Sequence, residues 1–520
     1  MSDLKETYSQ IARASLVIMV LTLADKILAV LKEMLVAHRF GVSAELDVFN
    51  VAYALPGIIT LIFSGAFVSA FVPLYLEWSR LSSGLANRYT LALLYAVTLL
   101  SGLLAVLGAV FSPFLFSLIG YGFGPEERQL GAVMERCLVF LVLIDGSGTV
   151  LRALLHARKK FFSLSAAPLL INLVIIAMVV FADRLGIYSL VWGFLLGTLF
   201  KVIYMAVVIQ RDGFNFAARV SFDPSVLKAF LVLALPLIGS ELVANSNLLV
   251  DQVMATQLSP GSVSTLRYAM RINDLPIQIV VIGLTRAIFP FISDQALSGD
   301  HDGLRHVFSR GVVFLGFLTF PITCVIALFS EDIVTILLQR GAFDEAATRG
   351  TAATLVLYGL GLFFYAYSFL NATFFSAMKD TRPLFYMGCL SVVANIGLNL
   401  LFMRLLGVQG IALSTTVLLA LNSMVFFVLL RKRLRLTNVL ETLNSFLRMA
   451  LAVAGMYLAG FLLQGLAHSM QTGPWIRFPA ISVLVGLLYL LMIRLLKTRQ
   501  LEDCLDICYG LIRMLKRTGA

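Results

Sequence analysis

Charged residues are scarce in this chain of 520 residues. Asp, Glu, Lys and Arg together make up 13% of it, whereas 59% of the residues are hydrophobic and the mean hydropathy is +0.92. This composition excludes an ordinary soluble domain and is typical of a polytopic membrane protein. Because no basic soluble module is present, the net charge of +11 concerns membrane topology and anionic lipid headgroups, and we expect no nucleic-acid partner.

The residues that metal centres and catalytic sites require are also few. The five histidines are scattered, and the five cysteines have no spacing that suits a metal ion. The sequence contains neither a phosphate-binding loop of the nucleotide-hydrolysing enzymes nor a nucleophile elbow. We therefore expect no enzyme and no resident metal or cofactor. A transport process would draw on an ion gradient or the membrane potential, or would be passive.

Apolar runs long enough to cross a bilayer, which takes about 20 residues, occupy most of the chain. They predict an all-α polytopic membrane protein with fourteen transmembrane helices, at residues 14–38, 47–76, 89–117, 129–156, 164–182, 188–209, 229–255, 263–293, 307–329, 350–377, 384–403, 409–430, 446–467 and 476–496.

Lysine and arginine in the connecting segments set the predicted orientation. With the N-terminus in the cytoplasm, roughly 22 basic residues fall in cytoplasmic segments and about 6 in the opposite loops, as the positive-inside rule requires. Both termini are then cytoplasmic because the number of spans is even. The tail at 499–520 predicts an amphipathic helix on the inner leaflet, the alternative being a soluble helical end.

Four short motifs recur at a nearly constant offset of about 220 residues, which indicates an internal duplication. The pairs are Ala54-Leu55-Pro56 with Asp274-Leu275-Pro276, Gly122-Phe123 with Ala342-Phe343, Ala157-Arg158-Lys159 with Ala377-Met378-Lys379, and Leu185-Gly186-Ile187 with Leu406-Gly407-Val408. Six spans are an even number, so the halves predict two parallel six-helix repeats plus two C-terminal helices. The predicted domains are an N-terminal lobe at 1–220, a C-terminal lobe at 221–435, two additional transmembrane helices at 436–498 and the tail at 499–520.

Charged and amide side chains interrupt the first two spans. Lys26, Lys32 and Glu33 lie within two turns of one predicted helix, whereas Asp47 and Asn50 share a face of the next. Such residues inside a membrane helix usually face a bundle interior or a water-filled cavity. The alternative is that the lysines reach the membrane surface and Glu33 pairs locally, although Lys26 lies in mid-span.

The eighth span has a similar pattern. It carries Arg267, Arg271 and Asp274, of which Arg271 and Asp274 are three residues apart on one face. Cations that both halves offer to a shared cavity indicate an anionic substrate, because guanidinium binds phosphate through paired contacts and ammonium acts as a point charge. An Arg271–Asp274 pair with a purely structural role is the alternative.

A second polar set offers carboxylate, amide and hydroxyl oxygens, which suit a hard cation. Its members are Glu241, Asn245 and Asp251 on the seventh span, Asn395 and Asn399 on the eleventh, and Ser414, Thr415 and Thr416 on the twelfth. Asn395 and Asn399 are four residues apart on one predicted face. The alternative is hydrogen bonding between helices, which such side chains commonly provide in membranes.

The order of the spans and three motifs resemble the MurJ/MviN family of lipid II flippases, within the multidrug/oligosaccharidyl-lipid/polysaccharide exporter superfamily. The motifs are Asp47 to Pro56 followed by Gly65-Ala66-Phe67 and Ala70-Phe71-Val72-Pro73, then Tyr268-Ala269-Met270-Arg271 to Pro276, and Leu338-Gln339-Arg340-Gly341-Ala342-Phe343-Asp344. The resemblance covers nearly the whole chain.

The resemblance also implies which residues bind the substrate and the coupling ion. Carried over by position, the residues that bind the pyrophosphate and sugar part of the substrate are Lys26, Lys32, Asp47, Arg271 and Asp274. The positions that match a sodium site in some members, with Na⁺ as the coupling ion, are Asp251, Asn395, Asn399 and Thr415. The chain departs from the family where arginine is usual, with lysine at 26 and 32, and with Thr60 and Leu61 in place of an arginine pair.

On this resemblance we expect a monomeric flippase of the bacterial cytoplasmic membrane. It would move an undecaprenyl-pyrophosphate-linked glycan lipid, lipid II for peptidoglycan synthesis, from the inner to the outer leaflet by alternating access. One alternative is a flippase for another glycan on the same carrier, such as an exopolysaccharide or O-antigen unit. Another is a cation-coupled drug exporter, but a cavity for cationic drugs should be rich in carboxylates, whereas the first half here offers cations.

Overall fold

The computed structural model describes residues 2–218, 220, 223–434, 439–496 and 502. These residues form helices and connecting loops, without a β-strand among them. The helices are α1 (Ser2–Phe40), α2 (Ala44–Leu81), α3 (Ser83–Ile119), α4 (Pro125–Leu138), α5 (Phe140–Ala157), α6 (Phe161–Val180), α7 (Ala182–Leu185), α8 (Tyr188–Arg211), α9 (Pro224–Ala255), α10 (Ser262–Pro276), a π-helical segment (Ile277–Ile282), α11 (Gly283–Ser298), α12 (His301–Leu337), α13 (Glu345–Leu360), α14 (Leu362–Ala377), α15 (Arg382–Leu406), α16 (Val408–Leu434), α17 (Val439–Ser469) and α18 (Pro474–Leu495).

Eleven helical stretches in the described residues are long and apolar enough to cross a membrane, with α4 and α5 counted as one stretch. The number is twelve if the bent pair α13–α14 is one span. The predicted all-α polytopic membrane protein is confirmed at this level, because such a chain can satisfy its backbone in lipid only through helices of this length.

Two of the fourteen predicted spans lie outside this set. The stretch 14–38 belongs to α1, and 263–293 runs through α10, the π-helical segment and α11. Both are helical and carry charged side chains, among them Asp25, Lys26, Lys32 and Glu33 in the first and Arg267, Arg271 and Asp274 in the second. The count of fourteen therefore stays a prediction.

The chain folds into two compact units. Unit 1 comprises the described residues of Met1–Ser264 and Arg340–Asp344, and unit 2 those of Thr265–Gln339 and Glu345–Ala520. Both units contain a span that is broken in its middle, at Val139 between α4 and α5 and at Gly361 between α13 and α14. The parallel repeat layout and the domain bounds derived from the duplication stay predictions.

An aromatic stripe along α2 forms the core of unit 1. Phe67, Phe71, Tyr75 and Trp78 recur every three to four residues and therefore share one face of the helix. The ring centroids of the first two lie 5.7 Å apart, and those of Phe71 and Tyr75 lie 5.6 Å apart. The same core includes buried side chains of α3, α5, α8 and α9. This packing fixes α2 among the helices that carry the polar side chains of unit 1.

Two glycines of α8 allow α6 to approach closely. A Cβ on Gly193 would lie 3.1 Å from the Cα of Ile175, and one on Gly197 would lie 3.0 Å from the Cα of Ile171. Small residues four apart let two membrane helices pack backbone to backbone. Lys201 lies four residues beyond Gly197 on the same face, so this packing also positions its side chain inside unit 1.

Unit 2 contains the bent span, in which α13 and α14 meet at an angle of 42°. Hydroxyl groups of the neighbouring helices donate hydrogen bonds to carbonyl oxygens around the bend. The pairs are Thr323 to Gly359 over 2.9 Å, Thr416 to Leu357 over 2.6 Å and Ser423 to Phe364 over 3.2 Å. The bend is therefore stabilised by tertiary contacts, as broken helices in membranes usually are.

Candidate functional site

The carboxylate of Asp47 is bound by the backbone at the start of α10. Asp47 is 1% exposed, and the backbone N–H groups of Gly261 and Ser264 each donate to it over 2.7 Å. The N–H of Val263 lies at 3.4 Å and the Ser264 hydroxyl at 2.5 Å, and Asn50 Nδ2 donates to that hydroxyl over 3.3 Å. A helix N-terminus presents unpaired N–H groups and the positive end of its dipole to such an anion. Asp47 and Asn50 share a face as predicted, and the role of Asp47 as a substrate ligand stays a prediction.

Lys32 lies in an aromatic environment inside unit 1. It is 9% exposed, and its Nζ lies 3.0 Å from Oε1 of Glu33 and 5.7 Å from the ring centroid of Phe194 on α8. The ring of Tyr53 packs against the same phenylalanine, with 4.7 Å between the centroids. A cation over an aromatic face is stabilised by the ring quadrupole, more so when both are desolvated. The local pairing with Glu33 that the sequence left open is present, and Lys32 is an interior residue.

Lys26 lies on α1 six residues before Lys32 and is partly buried. Among the residues that the structure describes, it has no ion-pair partner. Its neighbour Asp25 accepts a hydrogen bond of 2.9 Å from Nδ2 of Asn172 on α6. Polar side chains thus join α1 to α6 beside Lys26, and the role of Lys26 as a substrate ligand stays a prediction.

Four polar side chains that the sequence alone did not single out meet inside unit 1. Asp145 and Arg152 come from α5, Lys201 from α8 and Ser64 from α2. Lys201 Nζ bonds Oδ1 of Asp145, and Arg152 Nη2 lies 3.4 Å from the same oxygen. Arg152 Nη1 donates to the hydroxyl of Ser64. This set, called the α5–α8 cluster below, holds two cations and one carboxylate.

The α5–α8 cluster could have been found from the sequence. Its three charged residues lie in the apolar runs 129–156 and 188–209, so the rule that marked Lys26 as unusual applies to them as well. The runs do not show that the three side chains meet, because Asp145 and Lys201 are 56 residues apart.

A carboxylate lies close to the turn of α2 that contains Ser64. A Cβ on Gly65 would lie 3.2 Å from Oε1 of Glu241 on α9, and Asn245 Nδ2 donates to the other carboxylate oxygen over 3.3 Å. Gly65 follows Ser64, the residue that binds Arg152. The middle of α2 therefore has both a guanidinium and a carboxylate beside it, and its small residues leave room for them.

The two substrate-binding candidates of the second half lie on α10 in unit 2. Arg271 is exposed and Asp274 is partly buried, and both take part in polar or electrostatic contacts. Asp274 lies within electrostatic reach of Tyr365 on α14. The other three candidates belong to unit 1, so the convergence of all five residues on one cavity stays a prediction.

Three of the four sodium-site candidates, Asp251, Asn395 and Asn399, are buried, and Thr415 is partly buried. Asn395 and Asn399 are both 0% exposed, and Nδ2 of Asn399 donates to Oδ1 of Asn395 over 3.2 Å, so the predicted shared face is confirmed. Thr415 Oγ1 donates to the Ile411 carbonyl of its own helix over 3.2 Å. Asp251 is 5% exposed and belongs to unit 1, whereas the other three belong to unit 2. The coordination of one ion by all four stays a prediction.

Comparison with known proteins identifies relatives along almost the whole chain. The family model of the lipid II flippase MurJ matches residues 36–484. The probable lipid II flippase MurJ of Rhizobium meliloti is 30% identical over 425 residues, which are 78% of each chain. The probable lipid II flippase MurJ of Bdellovibrio bacteriovorus is 26% identical over 504 residues, or 93% of this chain and 94% of the relative.

Solved structures have the same fold. The lipid II flippase MurJ in an inward closed conformation gives a TM-score of 0.77 at 24% identity, covering 92% of this chain and 98% of that one. An inward-facing multidrug resistance MATE family transporter of the MOP superfamily gives 0.68 at 15% identity, covering 81% of this chain and 98% of that one. At these identities the likeness concerns the fold.

Proposed function

Because the chain belongs to the MurJ family of lipid II flippases, we propose that it moves lipid II from the inner to the outer leaflet of the bacterial cytoplasmic membrane. The proposal also holds that it works as a monomer with both termini in the cytoplasm. The family is one of flippases and not of catalytic proteins, which agrees with the lack of enzyme motifs in the sequence. The observation that carries the proposal is the match of the family over residues 36–484.

The polar interior of unit 1 supports this function. Lys26, Lys32 and Arg152 lie in helices whose other side chains are mostly apolar, and cations in such a place suit a diphosphate group attached to a long hydrocarbon. The substrate-binding set proposed from the family comprises Lys26, Lys32, Asp47, Arg271 and Asp274. Transport by alternating access requires that the substrate bind both states of the protein, with each state open to one side only.

Complementation tests the proposed function directly. The chain is expressed in a strain depleted of its own lipid II flippase, and both growth and the amount of lipid II exposed on the outer leaflet are measured. We expect the wild type to restore both and Arg271→Ala to restore neither at an equal membrane level. Arg39→Ala is the matched control, since Arg39 forms an exposed pair with Asp183 through a contact of 2.6 Å.

Failure of the wild type to expose lipid II would contradict the proposal. If growth fails but another undecaprenyl-pyrophosphate-linked glycan reaches the outer leaflet, the chain is a flippase for that glycan. Export of cationic drugs without either lipid would identify a drug exporter.

We also propose Na⁺ as the coupling ion, bound by Asp251, Asn395, Asn399 and Thr415. The burial of Asp251, Asn395 and Asn399 supports this, because an acidic side chain such as Asp251 in a membrane interior needs a cation, a partner or a proton. Replacing Asp251 with Asn should remove the sodium dependence of transport. Transport by the wild type that is indifferent to sodium would leave these residues as helix-packing groups.

A further inference from the structure

We propose that Arg152 is a further phosphate-binding residue of the transport pathway, and that Asp145, Lys201 and Ser64 hold it in position. The proposal rests on the proposed function, because the ligand it names is the diphosphate of the transported lipid. It adds a guanidinium from α5 to the candidates on α1, α2 and α10.

Exposure separates the roles of the three charged residues. The side chain of Arg152 is 26% exposed, against 13% for Asp145 and 6% for Lys201. All three belong to stretches that qualify as membrane spans, Pro125–Ala157 and Tyr188–Arg211. A guanidinium that faced hydrocarbon would be very costly there. The bond to Ser64, next to the turn of α2 where Glu241 approaches, instead places the guanidinium on a polar face.

Charge balance within the α5–α8 cluster points to an anion. Asp145 is the acceptor for both cations, so these three groups have a net charge of +1 when all are ionised. The Glu241 carboxylate lies outside this set, beside Gly65 of α2. A buried excess charge is stable only when a counter-charge or several hydrogen bonds compensate it. A phosphate oxygen supplies both.

The geometry leaves the guanidinium with donors for that anion. Its contact with Asp145 is 3.4 Å long, whereas a charge-assisted bond between nitrogen and oxygen is about 2.7–2.9 Å. Arginine has five N–H donors in a planar fork, and Ser64 takes one of them. The closer ammonium of Lys201 bonds the same Oδ1 of Asp145, so the guanidinium is positioned while most of its N–H donors stay available.

Thermal shift by inorganic pyrophosphate is the test, carried out on the purified full-length protein in detergent. We expect pyrophosphate to raise the melting temperature of the wild type. We expect Arg152→Gln to weaken the apparent affinity for pyrophosphate about tenfold or more, and Arg152→Lys to weaken it less, because lysine keeps the charge without the fork. Arg158→Gln is the matched control on the same segment, since Arg158 pairs with Asp212 at the end of α8 over 3.1 Å.

Complementation by the same variants links the site to transport. Arg152→Gln should fail to restore lipid II exposure at an equal membrane level, whereas Arg158→Gln should restore it. If the wild type restores exposure and Arg152→Gln does so too, with an unchanged response to pyrophosphate, the inference is overturned. If the wild type does not flip lipid II but responds to pyrophosphate through Arg152, the proposed function fails and the anion site stands.

A folding defect in Arg152→Gln would not leave the question open. Ser64→Ala removes only the hydrogen bond that orients the guanidinium, on a helix that already carries small residues. We expect it to accumulate normally and to weaken the pyrophosphate response by a smaller factor. An unchanged response in this variant would count against the proposal.

Discussion

At the scale of single residues, the buried carboxylate of Asp47 depends on its hydrogen-bond donors for its stability. An ionised carboxylate inside a protein is costly unless hydrogen bonds compensate it, and three backbone N–H groups and a hydroxyl do so here. The sequence showed that the charge lies in an apolar run. It did not show the partner, because Gly261 is 214 residues away along the chain and donates through its backbone, which leaves no pattern in side chains.

Asp47→Asn should therefore lower the stability of the protein. The amide can accept fewer of the four hydrogen bonds and brings N–H donors towards backbone N–H groups, so we expect a loss of about 2 kcal/mol. Thermal unfolding of the purified protein measures it, with Glu45→Gln as the control because Glu45 is exposed in the same first turn of α2. An unchanged melting temperature would show that these hydrogen bonds add no net stability to the fold.

Asp212, at the C-terminal end of α8, gives a pH-dependent effect in unit 1. The Lys160 ammonium beside it, together with Arg158, holds the pKa of its carboxyl below the usual value. A lowered pKa in the folded state stabilises the protein above the pKa of the unfolded chain, and this contribution is lost as the pH falls through the folded value.

Asp212→Asn should accordingly be less stable than the wild type at neutral pH, and the difference should shrink below about pH 4. Melting temperatures between neutral and acidic pH test this, and Glu77→Gln, at an exposed position, is the comparison. A difference that stays constant with pH would show that the ionisation of Asp212 contributes nothing.

At the scale of helices, the sequence predicted where the helices lie, but it did not predict where a helix is interrupted. The runs 384–403 and 409–430 correspond to α15 and α16 with small differences at their ends. The break at Gly361 lies inside the continuous run 350–377. Gly359 and Gly361 are a local signal for it, and hydroxyls from other helices stabilise it. Tertiary contacts of this kind are invisible to hydrophobic periodicity.

Thr416→Val should weaken the bend between α13 and α14. The substitution keeps the shape but removes the hydrogen bond of 2.6 Å to the Leu357 carbonyl, at a cost of about 1–2 kcal/mol. Thr373→Val is the matched control, because its hydroxyl bonds a carbonyl of its own helix over 2.9 Å. Equal melting temperatures for the two variants would mean that the bend needs no support from α16.

A buried ion pair ties α12 to α18 within unit 2. Nε of Arg477 donates to Asp332 over 3.0 Å, a second nitrogen bonds the other carboxylate oxygen, and the side chains are 10% and 4% exposed. Removal of one partner leaves a buried charge, so Arg477→Met should cost about 3–5 kcal/mol in stability. Combining it with Asp332→Leu should recover most of this loss in thermal unfolding. A double variant as unstable as the single one would show that packing, and not the stranded charge, dominates.

For the whole molecule, the sequence predicted the membrane class, the family motifs and fourteen crossings, and the number of crossings stays a prediction. The stretches 14–38 and 263–293 are helical, and both carry charged side chains within an apolar run. Such helices are stable in a bilayer only if a bundle interior or a wet cavity shields the charges. The crossings at these two stretches are therefore the test of the fourteen-span topology.

Labelling of introduced cysteines in intact cells decides both crossings, in a variant that lacks the five native cysteines. With fourteen spans and a cytoplasmic N-terminus, a membrane-impermeant maleimide should label Ser259→Cys, which precedes α10. It should label Ser298→Cys, at the end of α11, only after permeabilisation, because 263–293 would lie between the two positions. Ser2→Cys and Ser82→Cys should be protected together.

Labelling of Ser259→Cys and Ser298→Cys from the same side would show that 263–293 does not cross. Labelling of Ser2→Cys from outside, with Ser82→Cys protected, would show that 14–38 does not cross and would leave the N-terminus outside the cell membrane.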